Sequence, residues 1–209
     1  YSYHARDMIR AAVEAEAMGF DAVWVHDAPL GRRTVAAYDD VTILSAIATR
    51  TRRIRLCTGI LQPHLRNPIS LAVQWATLFT LSEGRALLGV GAGGSKSGLV
   101  KREFQALAAL RHDTALDPDR IYEKRMKLFE ESVEVMRRLW AEDKISYRGE
   151  FYRFDEVTLG QARPDRPPPI LMAVGIYFPE GASPHIGHFW QDRFKSFLIR
   201  FSKKSDDVL

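Results

Sequence analysis

Apolar and polar positions alternate along this chain in blocks of two kinds, and the blocks recur. Residues 54–60 form a short apolar, partly β-branched run, followed by a turn at Asn67-Pro68. An apolar stretch of helix length comes next, over 69–80, with Ala72, Trp75, Leu78 and Phe79 on its buried side. A second β run covers 85–90 and stops in a glycine cluster, Gly89, Gly91, Gly93 and Gly94. Strand, helix, strand and glycine-rich loop make a βαβ unit, whose parallel strands predict a buried sheet. Ligands of α/β proteins sit at the carboxyl ends of such strands, so the chemistry is expected there.

The same period extends upstream. Met8, Ile9, Ala12, Val13 and Ala17 fall near helical spacing over 5–18, and Gly19 stands where a glycine ends a helix. Residues 22–25 read as a buried strand, left through His26, Asp27, Ala28 and Pro29. Asp39 and Asp40 supply an N-cap and a first-turn acid for a helix through Ala48. Strands therefore start near 22, 54 and 85, a regular spacing that marks repeated βα units.

Beyond the glycines the pattern loosens. Residues 95–118 read as an excursion with one helical piece at 102–110, of the kind that forms lids or binding loops. Asp119 can cap a helix over 121–140, where Met126, Phe129, Val133, Met136 and Trp140 recur at intervals of three and four and predict a core-facing stripe. Period-two alternation over 145–157, with Gly149-Glu150 near its middle, predicts a hairpin. ARPDRPPP (162–169) is an extended connector, and 170–174 another buried strand ending at Gly175. After that the signals are weak, with a helix or strand around 194–201. Glu14, Glu16, Glu130, Glu131 and Glu134 read as helix-surface charges, and His64 as a solvated loop histidine.

Composition changes this picture little. The 209 residues suit one domain, 1–209, with the barrel-like part in 1–175 and 176–209 unassigned. A net charge of +4 with scattered basic pairs argues against a nucleic-acid partner and mildly for an anionic small molecule. The single cysteine, Cys57, permits no internal disulfide and reads as an inert buried thiol. No apolar run approaches the ~20 residues that span a bilayer, and 1–12 lacks a signal-peptide pattern. The expectation is a cytoplasmic protein with no membrane partner.

Periodicity alone allows an open α/β sheet or part of a (β/α)8 barrel. AEAMGFDAVWVHD, RIRLCTGILQPHLRNPISLAVQWATLFTLSEGRALLGVGAG, RMKLFEESVEVMRRLW and YRGEFYRF together resemble the luciferase-like monooxygenase family over roughly 5–175. The resemblance implies a TIM barrel whose strand ends hold reduced FMN or, alternatively, coenzyme F420. It implies a bulge with a non-proline cis peptide behind the cofactor ring near Gly59-Ile60, after Thr58. It also places Gly91, Ala92 and Gly93 beside the cofactor, and Val174-Gly175 at a third lining strand end. Ile176 stands where relatives often have a second glycine, and Ala28 where they often have histidine. His26 and Asp27 remain as the candidate catalytic pair, positioning substrate or stabilising a developing charge. No metal site is indicated.

The family barrel usually has eight strands, and strands 1 and 6–8 are not evident here. A fragment, lost ends and a reduced barrel like the non-fluorescent flavoprotein relatives all fit. Uncovered strand edges would favour a homo-oligomer. The resemblance implies an oxidoreductase, with an FMN-dependent monooxygenase acting with oxygen on a small organic molecule as the leading expectation. Its reduced flavin would come from a flavin reductase or from NAD(P)H. An F420-dependent reductase or dehydrogenase, and a non-catalytic flavin-binding derivative, are the alternatives.

Overall fold

The computed structural model of the chain describes residues 4–27, 38–92, 124–160 and 163–172, together with the strand Ser196–Ile199. In chain order the elements are α1 (Ala5–Ala17), β1 (Ala22–Val25), α2 (Asp40–Ala48), β2 (Arg55–Thr58), α3 (Pro68–Leu81) and β3 (Ala86–Val90). Then come α4 (Arg125–Ala141), β4 (Ile145–Arg148), β5 (Arg153–Val157), β6 (Ile170–Met172) and β7 (Ser196–Ile199). The excursion read at 95–118 and the cap at Asp119 lie outside the described residues.

Helix ends follow local chemistry. Asp39 caps α2 by accepting from the Thr42 backbone N–H at 2.8 Å, and Asn67 caps α3 through Ile69 and Ser70. Gly19, one residue past the Met18 C-cap of α1, has φ +83, the left-handed conformation that glycine adopts without a Cβ penalty. Five parallel strands lie in the order β6-β3-β2-β1-β7. β1, β2, β3 and β6 are neighbours in chain order, without the reversal that marks a doubly wound sheet. That is the strand order of a TIM-barrel-type wall, and among the described residues the sheet stays open.

The two faces of the sheet differ. Val23, Val25, Leu56 and Leu88 pack with the helices in the main core, which includes the fully buried Trp75. Trp140 of α4 joins this core and donates its indole N–H to the Ala72 carbonyl of α3 at 3.0 Å. Ala22, Trp24 and Cys57 face the other way in a smaller cluster with Leu87 and Leu171. Alternation along β1 therefore sends even-numbered side chains to this second face. Burial pushes the Cys57 thiol up to about 12, as expected of an inert core cysteine.

Two glutamates read as surface charges are structural instead. Glu16 accepts from the backbone N–H groups of Arg52, Arg53 and Ile54, tying α1 to the entrance of β2. Glu131 is 2 % exposed and accepts from Glu150 at 2.8 Å and Phe151 at 2.9 Å, holding the turn of the predicted hairpin β4–β5. Each replaces absent backbone partners, a role that helical spacing does not reveal.

At the amino end of the sheet Arg85 works in the same way. Its guanidinium donates to the carbonyls of Ser82, Ile54, Ala48 and Thr51, and to the Thr51 hydroxyl. Backbone left unpaired by the end of α2 and the turn before β3 is satisfied there.

Candidate functional site

The carboxyl end of β2 departs from a regular ladder. Cys57 pairs with Leu87, and pairing resumes at Leu61 opposite Val90, so three residues, 58–60, face two, 88–89. One extra residue on one strand is a β-bulge. β2 accordingly ends at Thr58 rather than at the Ile60 expected from its composition. The peptide bond within the bulge, Gly59-Ile60, is cis, as the family resemblance implied.

Thr58 holds the bulge shut. Its hydroxyl donates to the Gly89 carbonyl at 2.8 Å and accepts from the Gly89 N–H at 2.9 Å. The Leu61 N–H donates to the same carbonyl at 2.8 Å. A Cβ on Gly89 would collide with the Thr58 carbonyl oxygen, so the close approach requires glycine here.

Around this bulge the predicted residues fall into distinct positions. Gly59 and Ile60 are half-buried, Gly91 is buried and Ala92 half-buried. The Gly59 N–H is donated to Val25 and the Gly91 N–H to Leu61, so neither is a free donor for a ligand. They offer shape, a surface of bare main chain. Gly93, Val174 and Gly175 lie outside the described residues, as do Ala28 and Ile176.

His26 and Asp27, adjacent in sequence, part company in space. His26 is exposed, and its Nδ1 stands 3.3 Å from the Gly59 carbonyl oxygen. A carbonyl only accepts, so this contact places the ring proton on Nδ1 and leaves Nε2 as an acceptor in the neutral imidazole. By the alternation of β1, His26 follows Trp24 to the second face of the sheet.

Asp27 follows Val25 to the helix side, where its side chain is 1 % exposed. One carboxylate oxygen accepts from Arg66 Nη2 at 2.6 Å and the other from the Gln62 N–H at 3.3 Å. Arg66 also binds Asp39 at 2.9 Å through Nη1, and Asp40 at 3.3 Å through Nη2. The Asp40 side chain is fully buried, and its second carboxylate oxygen has no hydrogen-bond partner.

One guanidinium thus serves three carboxylates. Burial pushes the Asp27 carboxyl up against the pull of Arg66, and burial together with Asp27 pushes Asp40 well up. Asp39 sits below the usual range, because bonds from Thr42 and Arg66 outweigh its partial burial.

His64, far from being a solvated loop residue, is 3 % exposed in the short 3-10 turn Pro63–Leu65. Its ring meets Phe129 of α4 edge-on at 5.8 Å. Arg66 itself carried no sequence signal of function. It lies 39 residues from Asp27, and only the parallel β1–β2 pairing brings the two together.

A model of the luciferase-like monooxygenase family matches residues 1–176. The chain belongs to this family. Among curated proteins it is 32% identical over 173 residues to the F420-dependent glucose-6-phosphate dehydrogenase of Amycolatopsis mediterranei, covering 81% of this chain and 48% of that protein. Among solved structures, a monooxygenase from Streptomyces bottropensis matches with a TM-score of 0.66 and 33% identity, over 81% of this chain and 47% of its own. An F420-dependent secondary alcohol dehydrogenase, in complex with an F420-acetone adduct, matches at 0.65 and 29%, over 81% and 48%. This luciferase-like chain thus spans about half the length of the relatives it matches.

At the bulge of this family member Gly59 has no side chain, the main chain at 59–60 is partly open, and the imidazole of His26 stands against the Gly59 carbonyl. Among the described residues no helix is long and apolar enough to cross a membrane.

Proposed function

We propose that this chain is the cofactor-binding part of an F420-dependent oxidoreductase that interconverts an alcohol and a carbonyl compound. The observation that carries the reading is its 32% identity to F420-dependent glucose-6-phosphate dehydrogenase over 81% of the chain. The likeness to an F420-dependent secondary alcohol dehydrogenase supports the same cofactor. FMN, the leading expectation from the family resemblance, has less support among these relatives and becomes the alternative. The monooxygenase likeness at 33% identity keeps oxygen chemistry as the second reading.

In this reading Gly59 and Ile60 back one face of the cofactor ring, and Gly91 and Ala92 border it. F420, when bound, supplies the hydride acceptor, or in its reduced form the donor. His26 supplies the matching proton site. With Nδ1–H donated to Gly59, its Nε2 accepts the hydroxyl proton of an alcohol, or as imidazolium returns one to a carbonyl oxygen. Asp27, buried behind the sheet, holds its neighbour in place rather than touching substrate.

Parallel titration of the 209-residue chain with F420 and FMN tests this, with His26→Asn alongside. Saturable binding of F420, kept by His26→Asn while alcohol turnover falls about a hundredfold or more, is the expected result. Binding of FMN alone would overturn the cofactor assignment. Undiminished turnover in His26→Asn would remove the imidazole from proton transfer.

A further inference from the structure

The Arg66 cluster lies outside the ring-binding surface, yet it gathers three chain segments that frame it. Asp27 ends β1. Asp39 and Asp40 open α2. Gln62 and Arg66 belong to the connection leaving the bulge at Gly59-Ile60. Asp27 and Asp39 are also the two roots of the β1–α2 connection, so Arg66 grips both of its ends at once.

We infer that Arg66 is a positioning residue for the strand-end site: by holding Asp27 on the helix side of β1, it keeps His26 turned to the opposite face against the Gly59 carbonyl. Successive residues of an extended chain point to opposite faces, so fixing one side chain fixes the direction of the next. Asp27 is held from two directions, by the guanidinium at 2.6 Å and by the Gln62 N–H at 3.3 Å. His26, being exposed, has little packing of its own to orient it. Its ring is instead steadied by the 3.3 Å approach of Nδ1 to the Gly59 carbonyl oxygen, which a shift of Asp27 would open.

Arginine is required rather than any cation. Nη1 serves Asp39 while Nη2 serves Asp27 and Asp40, a planar fork that a lysine ammonium does not reproduce. The role in turnover rests on the oxidoreductase reading above; the control of His26 does not.

The test is nitrogen NMR of the unliganded full chain carrying 15N-labelled imidazoles, with His26→Asn to assign the signal among six histidines. In the wild type, His26 is expected as the Nδ1–H tautomer. In Arg66→Lys its tautomer ratio should move toward Nε2–H. F420 affinity should change less than threefold, and kcat should fall about tenfold to a hundredfold, as misplaced catalytic groups do.

A folded Arg66→Lys with an unchanged His26 spectrum would overturn the inference. Should Arg66→Lys fail to fold, Asp27→Asn carries the test, since the amide keeps the shape and loses the charge; an unchanged His26 signal there is equally fatal. If the wild type does not bind F420 but Arg66→Lys still moves the imidazole, the cofactor assignment falls and the positioning role stands.

Discussion

Two arginines mark opposite ends of the same parallel sheet, and they are satisfied in opposite ways. Arg85, at the amino end, donates mainly to neutral backbone carbonyls, which carry no proton equilibrium of their own. Arg66, at the carboxyl end, donates to three carboxylates, two of them buried. The first arrangement closes off helix and strand ends and is insensitive to ordinary changes of pH. The second sets three carboxyl groups against one guanidinium. In barrel-type folds the amino face serves stability and the carboxyl face serves chemistry. The contrast between these side chains gives that division a residue-level basis.

The largest effect is expected from breaking the quiet end. Arg85→Met would leave several carbonyls without donors and should cost about 3 kcal/mol or more in urea unfolding. His26 tautomer and F420 affinity should be unchanged wherever the variant is folded. A loss of affinity larger than its loss of stability explains would mean that the two ends are coupled, and the division would fail.

Thr58→Val sharpens the comparison from the other side. Valine keeps the volume but removes the hydroxyl that both donates to and accepts from Gly89. A loss of about 2 kcal/mol is expected, because the Gly89 N–H is left buried and unpaired. Unlike Arg85→Met, it should also weaken F420 binding, since the bulge is the surface the ring would rest on. Equal affinity for wild type and Thr58→Val would show that the bulge keeps its shape without the hydroxyl.

These contrasts were unevenly legible in the residues. Strand spacing at 22, 54 and 85 locates β1 to β3, whereas the cis bond at Gly59-Ile60 is implied only by the resemblance of the TGI strand to the luciferase-like family. The match to local pattern succeeded because buried strands and caps are written in adjacent residues. Arg66, Glu131 and His64 were opaque for the opposite reason. A charged or polar side chain becomes buried only when distant backbone or carboxylate meets it, as Glu131 is met by the hairpin turn 19 and 20 residues away. Asp27 is intermediate: alternation with Trp24 already separated its face from that of His26, but the direction of each face needed the helices.

The smallest effect lies in how the two ends respond to pH. Asp27 and Asp40 are raised by burial, so the folded state holds protons that the unfolded chain releases near pH 4. Their contribution to stability is therefore full below that ordinary value and is lost as pH rises through the raised one. Asp39 and Glu16, which are lowered, act in the opposite sense, and their contribution is lost as pH falls through their depressed values. Asp40→Asn isolates the first group, because the amide resembles the protonated carboxyl and its oxygen can still accept from the Val41 N–H. Relative to wild type, the Tm of Asp40→Asn should rise as pH increases upward from about 4, because the unfolded wild type releases a proton that its folded, buried carboxyl retains. Thermal melts across that range decide it. A constant Tm difference would mean that Arg66 already balances the cluster, and the two arginines would then differ in partners but not in electrostatic consequence.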